Sequence, residues 1–207
     1  MPDAHPSRRT AFSLGAVALG LLLAGCSEPA PRQFEPLSYD YLTRLKLNVG
    51  RIDVDDTWTP RGADRHVEFL APPPPLDALR QMEEDRLVPG GTAGRALFTI
   101  DDASIIRQGD VYRANFAVRL DILNDDGERQ RGIAAHAAGT HPVTGDDREE
   151  VRSDLYDLTR TTMDDMNVDF EYQIRHTLRD DLQTTSPNAP PPPPVDTQDL
   201  GAPSTTP

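Results

Sequence analysis

Residues 112–123 read YRANFAVRLDIL and alternate between apolar and polar side chains. One set of alternate positions is apolar and comprises Tyr112, Ala114, Phe116, Val118, Leu120 and Ile122. The other set carries the polar residues Arg113, Asn115, Arg119 and Asp121. Successive side chains of a β-strand point to opposite faces, so this period of two predicts a strand with one polar face. Such a face predicts a sheet that is covered on one side only.

The segments on either side of this strand predict its neighbours in the sheet. The sequence NDDG at 124–127 is typical of a hairpin turn, and RGIAAHAAG at 131–139 predicts the returning partner strand. Upstream, ALFTI at 96–100 and the isoleucine pair at 105–106 predict a third strand, interrupted around the aspartates at 101–102. These strands follow one another along the chain, which predicts antiparallel pairing.

A fourth strand is predicted near the start of the domain. Apolar residues alternate there in two phases that meet at Gly50, with Leu45, Leu47 and Val49 before it and Ile52 and Val54 after it. A single extra residue in a strand shifts the phase in this way, so we expect one strand with a bulge at Gly50.

The first predicted helix follows the sequence PPPP at 72–75 and ends at PGG at 89–91. Its apolar residues lie near helical spacing at Leu76, Leu79, Met82 and Leu87. The glycine-rich sequence PGGTAGRA at 89–96 then enters a strand. Phosphate-binding loops run from strand to helix, so this segment is interpreted as a plain connection.

The second predicted helix runs from about residue 147 to 182, with Asp146 as its N-cap. Its apolar stripe comprises Val151, Leu155, Leu158, Thr162, Met166, Phe170, Ile174 and Leu178. The later residues are four apart, which rotates the stripe by about 40° at each step. We therefore expect a break between Met163 and Val168, at Asn167. The elements together predict an α+β two-layer sandwich of order β-α-β-β-β-α, with a mainly antiparallel sheet of about four strands covered on one face by two helical segments.

The amino terminus has the features of a bacterial export signal. Arg8 and Arg9 precede an apolar run at 11–23, which is shorter than the roughly 20 residues of a membrane-spanning helix. The twin-arginine export route and the general route both remain open for this pair of arginines. No later segment approaches spanning length.

The residues Leu23-Ala24-Gly25-Cys26 resemble the lipobox of bacterial lipoproteins. The resemblance implies cleavage before Cys26, acylation of that cysteine and a protein that faces the periplasm on a lipid anchor. Ser27, in place of aspartate, implies transfer to the outer membrane by the sorting pattern of enteric bacteria.

The predicted domain organisation follows from these segments. Residues 1–25 are the cleaved signal peptide, 26–38 a lipidated tether and 39–183 a single α+β domain. Residues 184–207, with five consecutive prolines, are a Pro-rich disordered tail.

Charge and cysteine content exclude several classes of function. The chain from Cys26 onward has 19 basic and 33 acidic residues and a net charge of about −14, which argues against binding to nucleic acid. The acylated Cys26 is the only cysteine, so we expect no disulfide and a domain held by its core.

Candidate chemistry is sparse, and we expect neither a catalytic site, nor a metal, nor a cofactor. His136 and His141 lie five residues apart and could hold zinc with the aspartates at 146–147, but the favoured interpretation is that both are solvent-facing. No serine stands in a Gly-x-Ser-x-Gly nucleophile elbow. The only tryptophan, Trp58, ends the acidic sequence DVDDTW at 53–58. It is either a contact residue for a partner or a side chain packed over the end of the sheet.

The element order behind the lipobox resembles the auxiliary lipoproteins of ABC-type lipid-transport systems and the lipopolysaccharide-assembly lipoprotein. The resemblance implies a non-catalytic envelope lipoprotein that contacts a transporter or an outer-membrane barrel. One alternative is a module that binds a small apolar or lipid ligand between the sheet and the helices, behind Phe116 and Val118. Another is a metal-dependent hydrolase, which would need His136 and His141 to converge.

Overall fold

The structure is a computed structural model that describes residues 32–62 and 65–183. The predicted signal peptide, the lipidation site Cys26 and the Pro-rich tail lie outside the described residues. The predicted domain boundaries therefore stay predictions. Among the helices of the described residues, none has both the length and the apolar character needed to cross a membrane.

The described elements confirm the predicted α+β fold, an open sandwich with two helices and a four-stranded sheet. In chain order they are β1 (Leu45–Leu47), β2 (Arg51–Asp55), α1 (Pro75–Arg86), β3 (Leu87–Pro89), β4 (Arg95–Gln108), β5 (Val111–Leu123), β6 (Arg129–Pro142) and α2 (Arg148–Thr177). The strand order of the sheet is β2-β4-β5-β6. Its pairs are antiparallel except β2 with β4, which run parallel because α1 lies between them in the chain.

The central hairpin forms where the alternation predicted it. Strand β5 pairs with β4 on one side and with β6 on the other. Gly127 closes the β5–β6 turn at φ +83°, a conformation that glycine adopts without steric cost. The expected interruption near residue 101 is a shift of register between Ile100 and Asp102, and β4 continues through it.

The prediction of one bulged strand over residues 45–54 is wrong. Strand β1 pairs in parallel with β3 in a separate two-stranded sheet, whereas β2 belongs to the four-stranded sheet. Gly50 lies at the crossing point, where its N–H donates to the carbonyl oxygens of Ala93 and Gly94 at 3.1 Å. The phase shift in the sequence therefore marks a passage between two sheets.

The predicted N-cap of α2 is wrong by one residue. Asp147 caps the helix, and its Oδ1 accepts the N–H groups of Glu149 and Glu150 at 2.9 and 3.0 Å. Asp146 instead pairs with Arg107 at 2.7 Å and ties the start of the helix to β4.

The predicted break in α2 is also wrong, because the helix is continuous from Arg148 to Thr177. Its buried face is wider than the apolar stripe and also contains the polar residues Thr159 and Asn167. The Asn167 side chain donates to the Met163 carbonyl at 2.9 Å, so its amide is satisfied inside the unbroken helix. This wider face keeps α2 in contact with the domain along its length.

The core lies between the helices and one face of the four-stranded sheet. Phe98, Phe116 and Phe170 are fully buried there, and Phe98 meets Phe170 edge to face with ring centroids 5.8 Å apart. Val118 is also buried. These side chains lie in the region behind Phe116 and Val118 where the alternative prediction places a small apolar ligand.

Candidate functional site

The face of the four-stranded sheet that turns away from the helices carries a cleft. We call it the open-face cleft; it has a volume of about 950 Å³, and β4 and β5 form its floor. The chain segment after β2 forms a wall, and the residues that matter below are Trp58, Arg61, His66, Asp102, Arg113 and Arg119. A volume of this size is in the range of ligand sites in proteins.

The alternation of β5 places the arginines on the cleft floor. Arg113 and Arg119 occupy the polar set of positions, opposite Tyr112 and Leu120, which are buried against the core. The same period that builds the core therefore supplies two cations to the other face.

Asp101 and Asp102, at the shift of register in β4, are held by neighbours on the floor. Asp102 accepts the Ser104 N–H at 3.0 Å and the Asn115 side-chain amide at 2.7 Å. Asp101 pairs with Arg119 at 3.0 Å. The bulge thus turns two consecutive carboxylates towards donors on β4 and β5.

Trp58 lines the cleft and is also partly buried against the core. Just before it, Asp55 accepts the Thr57 hydroxyl at 2.7 Å and the Thr57 N–H at 3.1 Å. These hydrogen bonds lower the pKa of the Asp55 carboxyl below its usual range. The turn that carries Trp58 is therefore organised by an ionised side chain. A contact between Trp58 and a partner stays a prediction.

His66 also lines the cleft. Its Nδ1 lies 3.3 Å from Glu68 Oε2, and its Nε2 lies 3.2 Å from the Arg61 carbonyl oxygen. Its backbone bridges to Ile106 of β4. The sequence offered no signal for this placement, because His66 stands in an irregular segment.

The two histidines of the alternative zinc site do not converge. His136 belongs to the exposed set of β6, whereas His141, an odd number of positions away, lies 3.9 Å from the buried Asp154 under the start of α2. Residues an odd number apart on a strand point to opposite faces. Among the described residues, no group of three or more histidine, cysteine or acidic side chains is arranged to hold a metal.

An apolar surface that the sequence did not indicate lies beside the start of α2. Phe69 and Leu70 are exposed there and line a second cleft of about 520 Å³ with Val151. Single apolar residues in irregular segments carry no periodic signal, so only the folded structure shows this patch.

Comparison with known proteins leaves the family open. No protein-family model matches the chain, and no curated protein matches it. The solved structures similar to it include a Xanthomonas campestris protein of family DUF330, at 11% identity and a TM-score of 0.38 over 66% of this chain and 90% of that one. A proposed lipoprotein from Caulobacter crescentus CB15 is similar at 11% identity and a TM-score of 0.26, over 56% of this chain and 88% of that one. Similarity at this level assigns neither a family nor a function to the chain.

Proposed function

We propose that this protein is a non-catalytic, lipid-anchored lipoprotein of the bacterial cell envelope. It faces the periplasm, attached through Cys26 to the outer membrane, and supports envelope assembly or lipid transport by binding a transporter or barrel protein. The observation that carries the proposal is the open-face cleft, which Trp58 lines on the sheet face that neither helix of the described residues covers. A lipobox places a domain with such a surface next to membrane-embedded partners.

The length of the tether supports a partner that lies close to the membrane. Phe34 packs on Tyr156 of α2 with ring centroids 5.1 Å apart, and Arg152 lies over the Phe34 ring at 5.3 Å. Cys26 precedes Phe34 by eight positions, which span at most about 28 Å when extended. The domain therefore works within a short distance of the bilayer that holds its anchor.

The non-catalytic part of the proposal is supported by how the candidate groups are engaged. Both ring nitrogens of His66 lie beside oxygen acceptors, and Asp102 is held by two donors. A general base needs a free position within reach of a substrate proton. These contacts suit a surface that binds rather than one that transfers protons.

The anchor is tested by labelling cells with an alkyne analogue of palmitate. The wild-type chain is expected to incorporate the label and to sediment with membranes, whereas Cys26→Ser loses both properties. A wild-type chain that stays unlabelled and soluble would remove the lipoprotein proposal.

The partner surface is tested by affinity purification from cross-linked envelopes. We expect the wild type to retain a transporter or barrel subunit that Trp58→Ala loses. Tyr172→Ala, which removes an exposed aromatic side chain from α2, is the matched control and should retain it. Equal capture by Trp58→Ala and wild type would show that the open-face cleft is not the contact surface.

A further inference from the structure

The open-face cleft holds two arginines that have no side-chain partner among the described residues. Arginine is the dominant basic residue, and in the described part of the chain most arginines pair with carboxylates. Within the same residues, the side chains of Arg61 and Arg113 have no hydrogen bond or ion pair, and both line the cleft. The cleft lining holds three arginines and three aspartates, so its preference depends on which of these groups still have free donors or acceptors.

A third arginine brings an unsatisfied donor to the same floor. Arg119 bonds Asp101 through Nη2, but its Nε is buried and has no hydrogen-bond partner. Buried N–H groups in proteins almost always have an acceptor, so this Nε is an exception. The Arg119 side chain as a whole is 43% exposed, so its outer part can donate to a ligand.

The acidic side chains of the cleft already accept hydrogen bonds from neighbouring residues. The arginines therefore decide whether the cleft prefers an anionic or a cationic ligand. Asp55 accepts from Thr57, Asp101 from Arg119 and Asp102 from two donors. Their oxygens are therefore less available to an incoming cation than the arginine N–H groups are to an anion. Guanidinium groups bind carboxylates through two parallel N–H donors.

The backbone edge of β4 inside the cleft is closed to strand addition. Pairing with β2 ends at Thr99. The segment at residues 65–67 pairs with β4 further along, where the Val67 N–H donates to the Ile105 carbonyl and the Arg107 N–H donates to the Arg65 carbonyl. In the interval, the Ser104 N–H is taken by Asp102, and the Ile105 N–H lies 3.3 Å from Glu68 Oε2. A ligand must therefore be recognised through its side chains. The polar floor likewise does not suit an acyl chain.

We infer that the open-face cleft binds an acidic peptide segment of the partner protein, with Asp or Glu carboxylates on Arg61, Arg113 and Arg119 and the peptide packed against Trp58. The inference rests on the proposed function and names the chemistry of its partner. Charge complementarity selects the occupant, because Arg61 and Arg113 have no carboxylate partner among the described residues and line the cleft together with Arg119.

Trp58 is the only tryptophan, so its fluorescence reports directly on the cleft. The full-length chain in a neutral detergent is titrated with a capped hexaglutamate peptide, and with hexaglutamine as the uncharged control. We expect a saturable change in Trp58 emission with hexaglutamate alone, weakened by added salt. Arg61→Gln and Arg113→Gln should each weaken binding about fivefold. Arg179→Gln removes an exposed arginine outside the cleft and should not weaken it.

Several results would overturn the inference. They are a titration without saturation, equal binding of hexaglutamine and equal weakening by Arg179→Gln. Displacement by inorganic phosphate at the peptide's own concentration would also overturn it, because it would indicate a small-anion site.

Deletion of residues 184–207 tests whether the chain's own tail occupies the cleft. A change in the Trp58 emission of the deletion variant without peptide would make the tail the occupant. A partner that is cross-linked through Trp58 while hexaglutamate fails to bind would retain the proposed function and reject only the acidic peptide.

Discussion

The two faces of the four-stranded sheet use the same strands for opposite purposes. On the face under the helices, Phe98, Phe116 and Leu120 are fully buried, and α2 packs across them. On the other face, Arg113 and Asn115 are exposed at the open-face cleft. One face therefore contributes stability and the other remains available for recognition. Burial of apolar area stabilises a fold in proportion to that area, whereas exposed polar residues contribute little.

The covered face contains one charged group whose loss should have the largest effect. Arg86 is fully buried at the end of α1 and donates to the Thr43 carbonyl at 3.1 Å and to Asn167 Oδ1 at 2.7 Å, and it also pairs with Glu171. Arg86→Ala removes this donor from the Thr43 carbonyl and from Asn167 Oδ1, and we expect a loss of about 3–5 kcal/mol in the free energy of unfolding. Urea denaturation followed by circular dichroism measures it.

The matched control is Arg175→Ala, which removes the other cation beside Glu171 from an exposed position. Its expected cost is below about 1 kcal/mol. Similar losses of unfolding free energy in Arg86→Ala and Arg175→Ala would contradict the prediction, because they would mean that the buried arginine stabilises the fold no more than the exposed one.

A smaller effect is expected at Gly139, where side chains of α2 lie close to the backbone of β6. A Cβ atom added at Gly139 of β6 would overlap Thr162 Oγ1 and lie 3.0 Å from Leu158 Cδ1. Gly139→Ala should therefore cost about 1–3 kcal/mol through overpacking. Ala138→Val enlarges the next residue on the open face and should cost less than about 0.5 kcal/mol. Thermal unfolding of both variants makes the comparison, and a reversed order would contradict it.

The helix side also contains a carboxyl group whose burial should make stability depend on pH. Burial, and then the neighbouring Glu84, raise the pKa of Glu83 above its ordinary value. The folded state therefore holds this proton more tightly, and its contribution to stability falls as pH rises above the unfolded value near 4.5. Glu83→Gln should gain about 0.5 kcal/mol at pH 7 and nothing at pH 4. Urea midpoints at the two pH values test this; a gain that is equal at both would contradict the stated cause.

The smallest change in stability is expected on the open face. Arg113→Gln removes an exposed side chain without partners in the described residues, so the free energy of unfolding should stay within about 0.5 kcal/mol of the wild type. The same variant should weaken binding of the acidic peptide. A large loss of stability in Arg113→Gln would break the division between the two faces.

The strands of the central hairpin could be predicted from the sequence because their signals are local. Alternation across residues 112–123 and the turn at 124–127 depend only on near neighbours, and both are confirmed. The cap and continuity of α2 were predicted wrongly because contacts distant in sequence decide them. Arg107 draws Asp146 away from the cap, and Arg86 satisfies Asn167 inside the helix.

The open-face cleft was likewise predictable from the sequence only in part. Sequence singled out Trp58 and the polar positions of β5, but it did not show that they share a cleft with Arg61 and His66. That convergence depends on the turn after β2 folding back over the sheet, and the sequence of this irregular segment carries no periodic signal. The sequence therefore indicated individual residues of the cleft but not that the folded chain brings them together.

The sequence by itself determined the α+β class, the covered and open faces of the hairpin, and the acidic character of the chain. It also supplied the lipobox on which the anchoring proposal rests. Only the tertiary structure decided that residues 45–55 divide between two sheets, that α2 continues through Asn167 and that Arg61 and Arg113 line the same cleft as Trp58. The physical reason is range: strand alternation and turn geometry are properties of adjacent residues. Pairing partners, buried charges and clefts depend on which distant segments pack together once the chain has closed its loops.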